Sequence, residues 1–227
     1  MNVYFLVEGK TEKKIYPRWL EQLLPTLTRI QVASDVQENN YYLISGGGYP
    51  QLLETHLPNA IDEINESGQY DYFVISLDAD EVTVEERIRE VEQKISEKKL
   101  QLRNCQLQII VQNRCIETWF MGNRKVFPRN PTGQFTPFFR FYDVSKDDPE
   151  QMGKTKEAMG TIAQFHKIYL KKMLAEKNIN YSETIPHAVG ESDYLEQLQE
   201  RVKICPSHLK TLQCFFSFCG EVGEHSK

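Results

Sequence analysis

Two short acidic segments each follow an apolar run that should end a strand. Val7-Glu8-Gly9-Lys10-Thr11-Glu12 comes after Val3-Tyr4-Phe5-Leu6, and Leu77-Asp78-Ala79-Asp80-Glu81 comes after Tyr72-Phe73-Val74-Ile75. Five carboxylates placed in this way repel one another unless a cation stands among them. A divalent ion with oxygen ligands is the usual remedy, and Mg²⁺ is commonly held by one or two carboxylates plus waters and phosphates. The chemistry this suggests is phosphoryl transfer. It needs positive charge on the phosphate and a group near the attacking or leaving oxygen that can move a proton. Asp78 and Asp80, one residue apart just past a strand, can approach a common metal, while Glu8 can complete the shell or serve as acid/base. Taken singly, Glu8 and Asp80 also fit carboxylates that merely favour a helix N-terminus.

The elements that would position these groups are legible from hydrophobic periodicity. Asn2 to Val7 reads as a buried strand, followed by a helix to Leu24 with Ile15, Trp19, Leu20 and Leu23 on one stripe and Pro25 at its end. Asn40 to Ser45 is a second strand, closed by Gly46-Gly47-Gly48, and Gln51 to Asn65 a helix with a break expected near Pro58. Tyr72 to Leu77 is a strand, Val84 to Leu100 an amphipathic helix, Cys105 to Gln112 a strand, and 113–121 the start of another helix. This alternation predicts a mainly parallel α/β sheet with helices on both faces. Functional groups in such sheets collect outside the carboxyl ends of the strands, where Glu8, Asp78, Asp80 and Glu117 would all lie. The expected division is a core over 1–122 and a loop-rich, helical C-terminal extension over 123–227 packed on it. Helices are expected at about 154–178 and 192–204, with irregular structure over 123–153.

Bulk properties exclude several classes. The 227 residues are 40% hydrophobic and 26% charged, enough for a core and unlike a disordered chain. The net charge of −5 is not the global signature of a nucleic-acid binder, although a local basic patch can reverse the potential. No apolar run is long enough to span a membrane, and Met1-Asn2-Val3-Tyr4 lacks the basic start of a signal peptide. Five cysteines without CxxC spacing fit reduced thiols and a cytoplasmic location. Cys205, His208, Cys214, Cys219 and His225 crowd the C-terminus but match no zinc pattern. Gly9-Lys10-Thr11 lacks the upstream glycine of a P-loop, since Tyr4 stands there, and Gly46-Gly47-Gly48 fails GxGxxG at Gln51.

Strand–Glu-Gly-x-Thr-Glu–helix followed by strand–Asp-x-Asp resembles the Toprim domain of primases, topoisomerases, RNA-maturing nucleases and the nuclease half of the OLD family. The resemblance covers roughly residues 2–122 and rests on the two acidic segments. Cys115-Ile116-Glu117-Thr118-Trp119-Phe120-Met121 adds a likeness to small stand-alone Toprim-like proteins of bacterial anti-phage defence loci. The resemblance implies Glu8 as acid/base or metal-linked glutamate, Asp78 and Asp80 as the metal aspartates, and Glu12 and Glu117 as further ligands. The cofactor implied is one or two Mg²⁺ or Mn²⁺ ions. OLD-type sites also carry a late lysine, for which Lys154, ahead of Lys156, is the candidate. Glu117 equally fits a helix-start carboxylate beside a packing tryptophan.

The expected function is therefore a metal-dependent nuclease cleaving DNA or RNA, with Lys10, Lys13, Arg114 and Arg124 among the substrate contacts. Phe138-Phe139-Arg140-Phe141-Tyr142 could stack on bases, although core packing is the favoured reading. Such proteins are often encoded beside an ABC-type or AAA ATPase, which would be a partner; self-association is left open. Two other readings compete. Asp78-Ala79-Asp80-Glu81-Val82 also fits the DxDx[VT] motif of haloacid-dehalogenase-like phosphatases, with Asp78 as nucleophile and Asp80 as acid/base, but that motif normally lies on the first core strand. The third is a non-catalytic effector whose core binds a partner.

Overall fold

A computed structural model describes residues 1–226. Five strands form one all-parallel sheet: β1 (Asn2–Val7), β2 (Thr28–Ile30), β3 (Asn40–Ser45), β4 (Tyr72–Asp78) and β5 (Gln106–Gln112), in the spatial order β2-β3-β1-β4-β5. β1 is buried along its whole length, as expected for a strand covered on both faces. The three-residue edge strand β2 is an addition to the sequence reading, being too short to show a period. β1 and β4 are neighbours, with Val7 opposite Ser76. Glu8 and Asp78 therefore emerge side by side at the carboxyl edge.

Alternate residues of the strands face two separate cores. On one face Tyr4, Leu6, Phe73 and Ile75 meet α2 (Leu57–Ser67) and α3 (Val84–Glu97). A π-helical turn over Leu52–His56 runs directly into α2, and the Glu54 carbonyl, four residues before Pro58, accepts Lys98 Nζ at 2.7 Å instead of the N–H that proline lacks, so Pro58 does not break the helix. On the other face Val3, Phe5, Val7 and Val74 meet α1 (Lys10–Leu23) and a C-terminal helix, α8 (Lys210–His225). Phe218 of α8 packs edge-on against Phe5 and Tyr72, while Phe215 lies against Tyr16, Trp19 and Trp119.

Between β5 and α8 the chain forms α4 (Ile116–Phe120), α5 (Thr136–Phe141), α6 (Ile162–Ala175) and α7 (Ser192–Ile204). α7 spans the expected residues. α6 starts later than expected, because Thr161 and Gln164 form a reciprocal capping box at its N-terminus. The aromatic segment around α5 packs on the core without entering it: Phe138 is half-buried among Phe135, Phe165 and Tyr169, while Arg140 and Phe141 are exposed. Among the described residues no helix is long and apolar enough to cross a membrane.

Candidate active site

Glu8 is the first residue past β1. Its carboxylate accepts the backbone N–H of Asp78 at 2.9 Å, and the backbone N–H of Tyr49 also favours its ionised form. The Gly46-Gly47-Gly48 turn wraps this position. Gly48 donates to the Glu8 carbonyl at 3.0 Å, with Gly47 and Gly48 at φ +74° and +102°, a region that disfavours side chains. Burial raises the Glu8 pKa, the Asp78 N–H opposes that rise, and the Asp80 carboxylate adds to it.

Glu12 folds back over the first turn of α1. It is 3% exposed, and its own backbone N–H, one of the free donors of a helix N-terminus, favours its ionised form. Burial pushes its pKa up to about 8, against that N–H and with help from Glu117 and Glu8. A Cβ at position 9 would lie 2.9 Å from Glu12 Oε2. Glycine in Glu-Gly-x-x-Glu is thus what lets the second glutamate turn inward.

Asp78, the last residue of β4, is 9% exposed. Burial raises its pKa well above the ordinary range, and Glu12, Glu8 and Glu117 raise it further. Glu117 sits in α4 at 1% exposure, with Oε1 accepting from Tyr181 at 2.8 Å. Burial, Glu117 and that hydrogen bond all raise the Tyr181 pKa. Asp78 Oδ1 and Glu117 Oε2 are buried without a hydrogen-bond partner among the described residues. Leaving such oxygens unpaired is costly, and either protons or a cation remove the cost.

The nearest cation is Lys167 of α6, which lines a cavity with Glu117 but pairs with Glu183, at 3.2 Å. Burial opposes its charge, and the acids around it, Glu117 and Asp78 first among them, together raise its pKa. α4 and α6 are clamped together by Thr118 Oγ1 and His166 Nδ1 at 2.8 Å, and His166 Nε2 reaches the Met152 carbonyl at 2.8 Å. Lys167 is therefore the lysine at the acids, in place of Lys154. Lys154 is exposed and donates to the Gly160 carbonyl in its own turn, and Lys156 is exposed as well.

Asp80 lies at the rim rather than inside. Its side chain is 41% exposed and 3.9 Å from Arg87. Its φ of +53° is one that aspartate tolerates better than most residues. Arg87, which sequence reasoning did not single out, is buried beneath the rim. It donates to Ala79 O at 3.2 Å, pairs with Glu90 at 2.7 Å and stacks 4.1 Å from the Tyr49 ring centroid. The fifth carboxylate, Glu81, accepts the N–H of Ile162 and so ties the β4 loop to the start of α6.

The expected substrate contacts divide three ways. Lys10 and Lys13 are exposed on the first turn of α1, beside the acids. Arg114 holds the β4 loop from behind, donating to the carbonyls of Asp80 and Val82 at 3.0 Å each. Arg124 is removed from the acids and meets Cys205 Sγ at 3.3 Å.

Hard carboxylate oxygens, two of them buried and unpaired, suit Mg²⁺ or Mn²⁺. Among the described residues no three His, Cys, Asp or Glu side chains converge closely enough to hold an ion by themselves. A Mg²⁺ site does not need three, since one or two carboxylates and water suffice. No family model, curated protein or solved structure matches the chain.

Proposed function

We propose that the protein is a metal-dependent phosphodiesterase of Toprim type acting on nucleic acid. One observation carries this reading: Glu12, Asp78 and Glu117 are buried together at the carboxyl edge of a parallel sheet, with Glu8 beside them and Lys167 facing them. A purely structural site would gain nothing from burying several acids together, whereas a site that takes a divalent cation requires them. Asp78 and Glu117, each with a buried unpaired oxygen, are the residues that would hold Mg²⁺ or Mn²⁺ together with water, and the ion when bound would neutralise phosphate charge and acidify a water.

The chain's own groups divide the remaining work. Glu8 is half-buried and its pKa is raised, the direction that makes a carboxylate a stronger proton acceptor for an attacking water. Lys167 offers a fixed positive charge to a phosphate oxygen once its pairing with Glu183 is exchanged. Tyr181 orients Glu117, and the Asp78 N–H orients Glu8.

The test is cleavage of labelled plasmid, single-stranded DNA and total tRNA with Mg²⁺ or Mn²⁺ against EDTA. Cleavage should require metal and fall by about 10²-fold or more in Glu8→Ala, Asp78→Asn and Lys167→Ala. Hydrolysis of p-nitrophenyl phosphate retained in Glu8→Ala but lost in Asp78→Asn would instead mean a phosphatase with Asp78 as nucleophile. Activity untouched by all three substitutions would sink the site.

A further inference from the structure

Three cavities follow one another along α6. The first, about 300 Å³, opens beside Glu117 and is lined by Lys167, Lys171 and the turn 181–184. The second, about 390 Å³, shares Lys171 and adds Lys172, Gln134 and Glu176. The third, about 610 Å³, shares Glu176 and is walled by Arg124, Lys125, Arg129 and Lys177. Lys167 and Lys171 are one helical turn apart, so they leave α6 on the same side with Cβ atoms roughly 6 Å apart.

The charge balance of this track is opposite to that of the chain. Over the two outer cavities six cations face one carboxylate, Glu176, although the chain as a whole carries −5. Glu176 is already engaged, accepting the Gly133 N–H at 3.1 Å. Among the described residues none of the six cations is in an ion pair. Unpaired like charges along a groove repel one another, and a polyanion laid along them relieves that repulsion.

We propose that this track binds a single-stranded polynucleotide, whose backbone runs from the acidic cluster along α6 to the pocket walled by Arg124. The inference rests on the nuclease reading above and names its substrate class. Depth decides between strand types. Glu117, Glu12 and Asp78 are 1%, 3% and 9% exposed, so a phosphate must descend to reach them. A stiff duplex cannot bend its backbone that sharply at small cost, whereas a single strand can.

The experiment is fluorescence anisotropy with a labelled oligodeoxythymidylate of about 16 nucleotides, long enough for a groove of this kind. EDTA is present so that binding is read without cleavage, and salt is varied between about 50 and 200 mM. Lys171→Ala/Lys172→Ala/Lys177→Ala should weaken binding at least tenfold and flatten the log–log salt slope by about 2, at ~0.7 per lost phosphate contact. Lys99→Ala, an exposed lysine beyond α3, should bind like wild type. Should the triple variant melt early, Lys125→Ala/Arg129→Ala gives the same reading from the far pocket.

No binding by the wild-type protein, an unchanged slope in the variants, or tighter binding of the matching duplex would each overturn the track. Track-dependent binding with no metal-dependent cleavage keeps the groove and removes the nuclease. Cleavage with an unchanged slope does the reverse.

Discussion

Glu12 is buried among like charges, so its ionisation is linked to the stability of the fold. Its carboxyl group keeps a proton up to about pH 8 when folded, against an ordinary value of 4.5. Between those two values the folded chain binds more protons than the unfolded one, so stability falls as pH rises through that window. In EDTA the unfolding free energy from urea titration should be higher at pH 5 than at pH 8, by a few kcal/mol at ~1.4 kcal/mol per pKa unit. Glu12→Gln should flatten that dependence and stabilise the protein at pH 8. A profile unchanged by Glu12→Gln would mean that another group holds the proton. Mg²⁺ or Mn²⁺ competes with the same protons, so its stabilisation should be larger at pH 8 than at pH 5. At this scale Glu8, Asp78 and Glu117 were identifiable from residue type and position after a strand, whereas Glu12 joined them only through the resemblance to Toprim segments. Lys167 was not. It stands in a helix with other lysines, and nothing local separates it from Lys171 and Lys172.

The turn from β1 into α1 shows what an element contributes. Glycine at position 9 is required by the inward rotamer of Glu12, not by a left-handed backbone, since Gly9 is extended at φ −121°. Gly9→Ala should cost little stability, because the atom it meets is the end of a flexible side chain. It should nevertheless cut kcat/KM by about 10²-fold, the usual effect of a ~1 Å misplacement. Activity and Tm measured on one preparation separate these effects; full activity would show that Glu12 is not needed where it sits. Elements with a clear period or run were readable: β3 and α7 fall on the expected residues. β2 is too short to show alternation. α8 was missed because Cys214-Phe215-Phe216-Ser217-Phe218 is rich in aromatics, which favour strands locally. Packing against β1 and β5 overrides that preference. Its start is set from a distance, with Glu150 accepting from the Thr211 N–H at 3.0 Å and its hydroxyl at 2.6 Å.

For the molecule as a whole, α8 covers one face of the sheet, so the segment after residue 122 completes the same hydrophobic core as β1 and α1. A chain ending at residue 122 should therefore fail to unfold cooperatively, as followed by circular dichroism in urea. Phe215→Ala in the full chain should cost about 3–5 kcal/mol, because Phe215 is fully buried against Tyr16, Trp19 and Trp119. A cooperative transition in the shortened chain would show that the sheet carries its own core. By itself the sequence determined the parallel α/β order and the placing of acids at the carboxyl ends of β1 and β4. Both follow from local periodicity and from the rule that strand ends share one edge. Only the tertiary structure decided that Glu117 meets Tyr181 and shares a cavity with Lys167, that Asp80 stays at the rim, and that α8 closes the sheet. Those outcomes depend on packing between segments far apart in the chain, such as Glu117 and Tyr181 at a sequence separation of 64. No local pattern of residues encodes contacts over that separation.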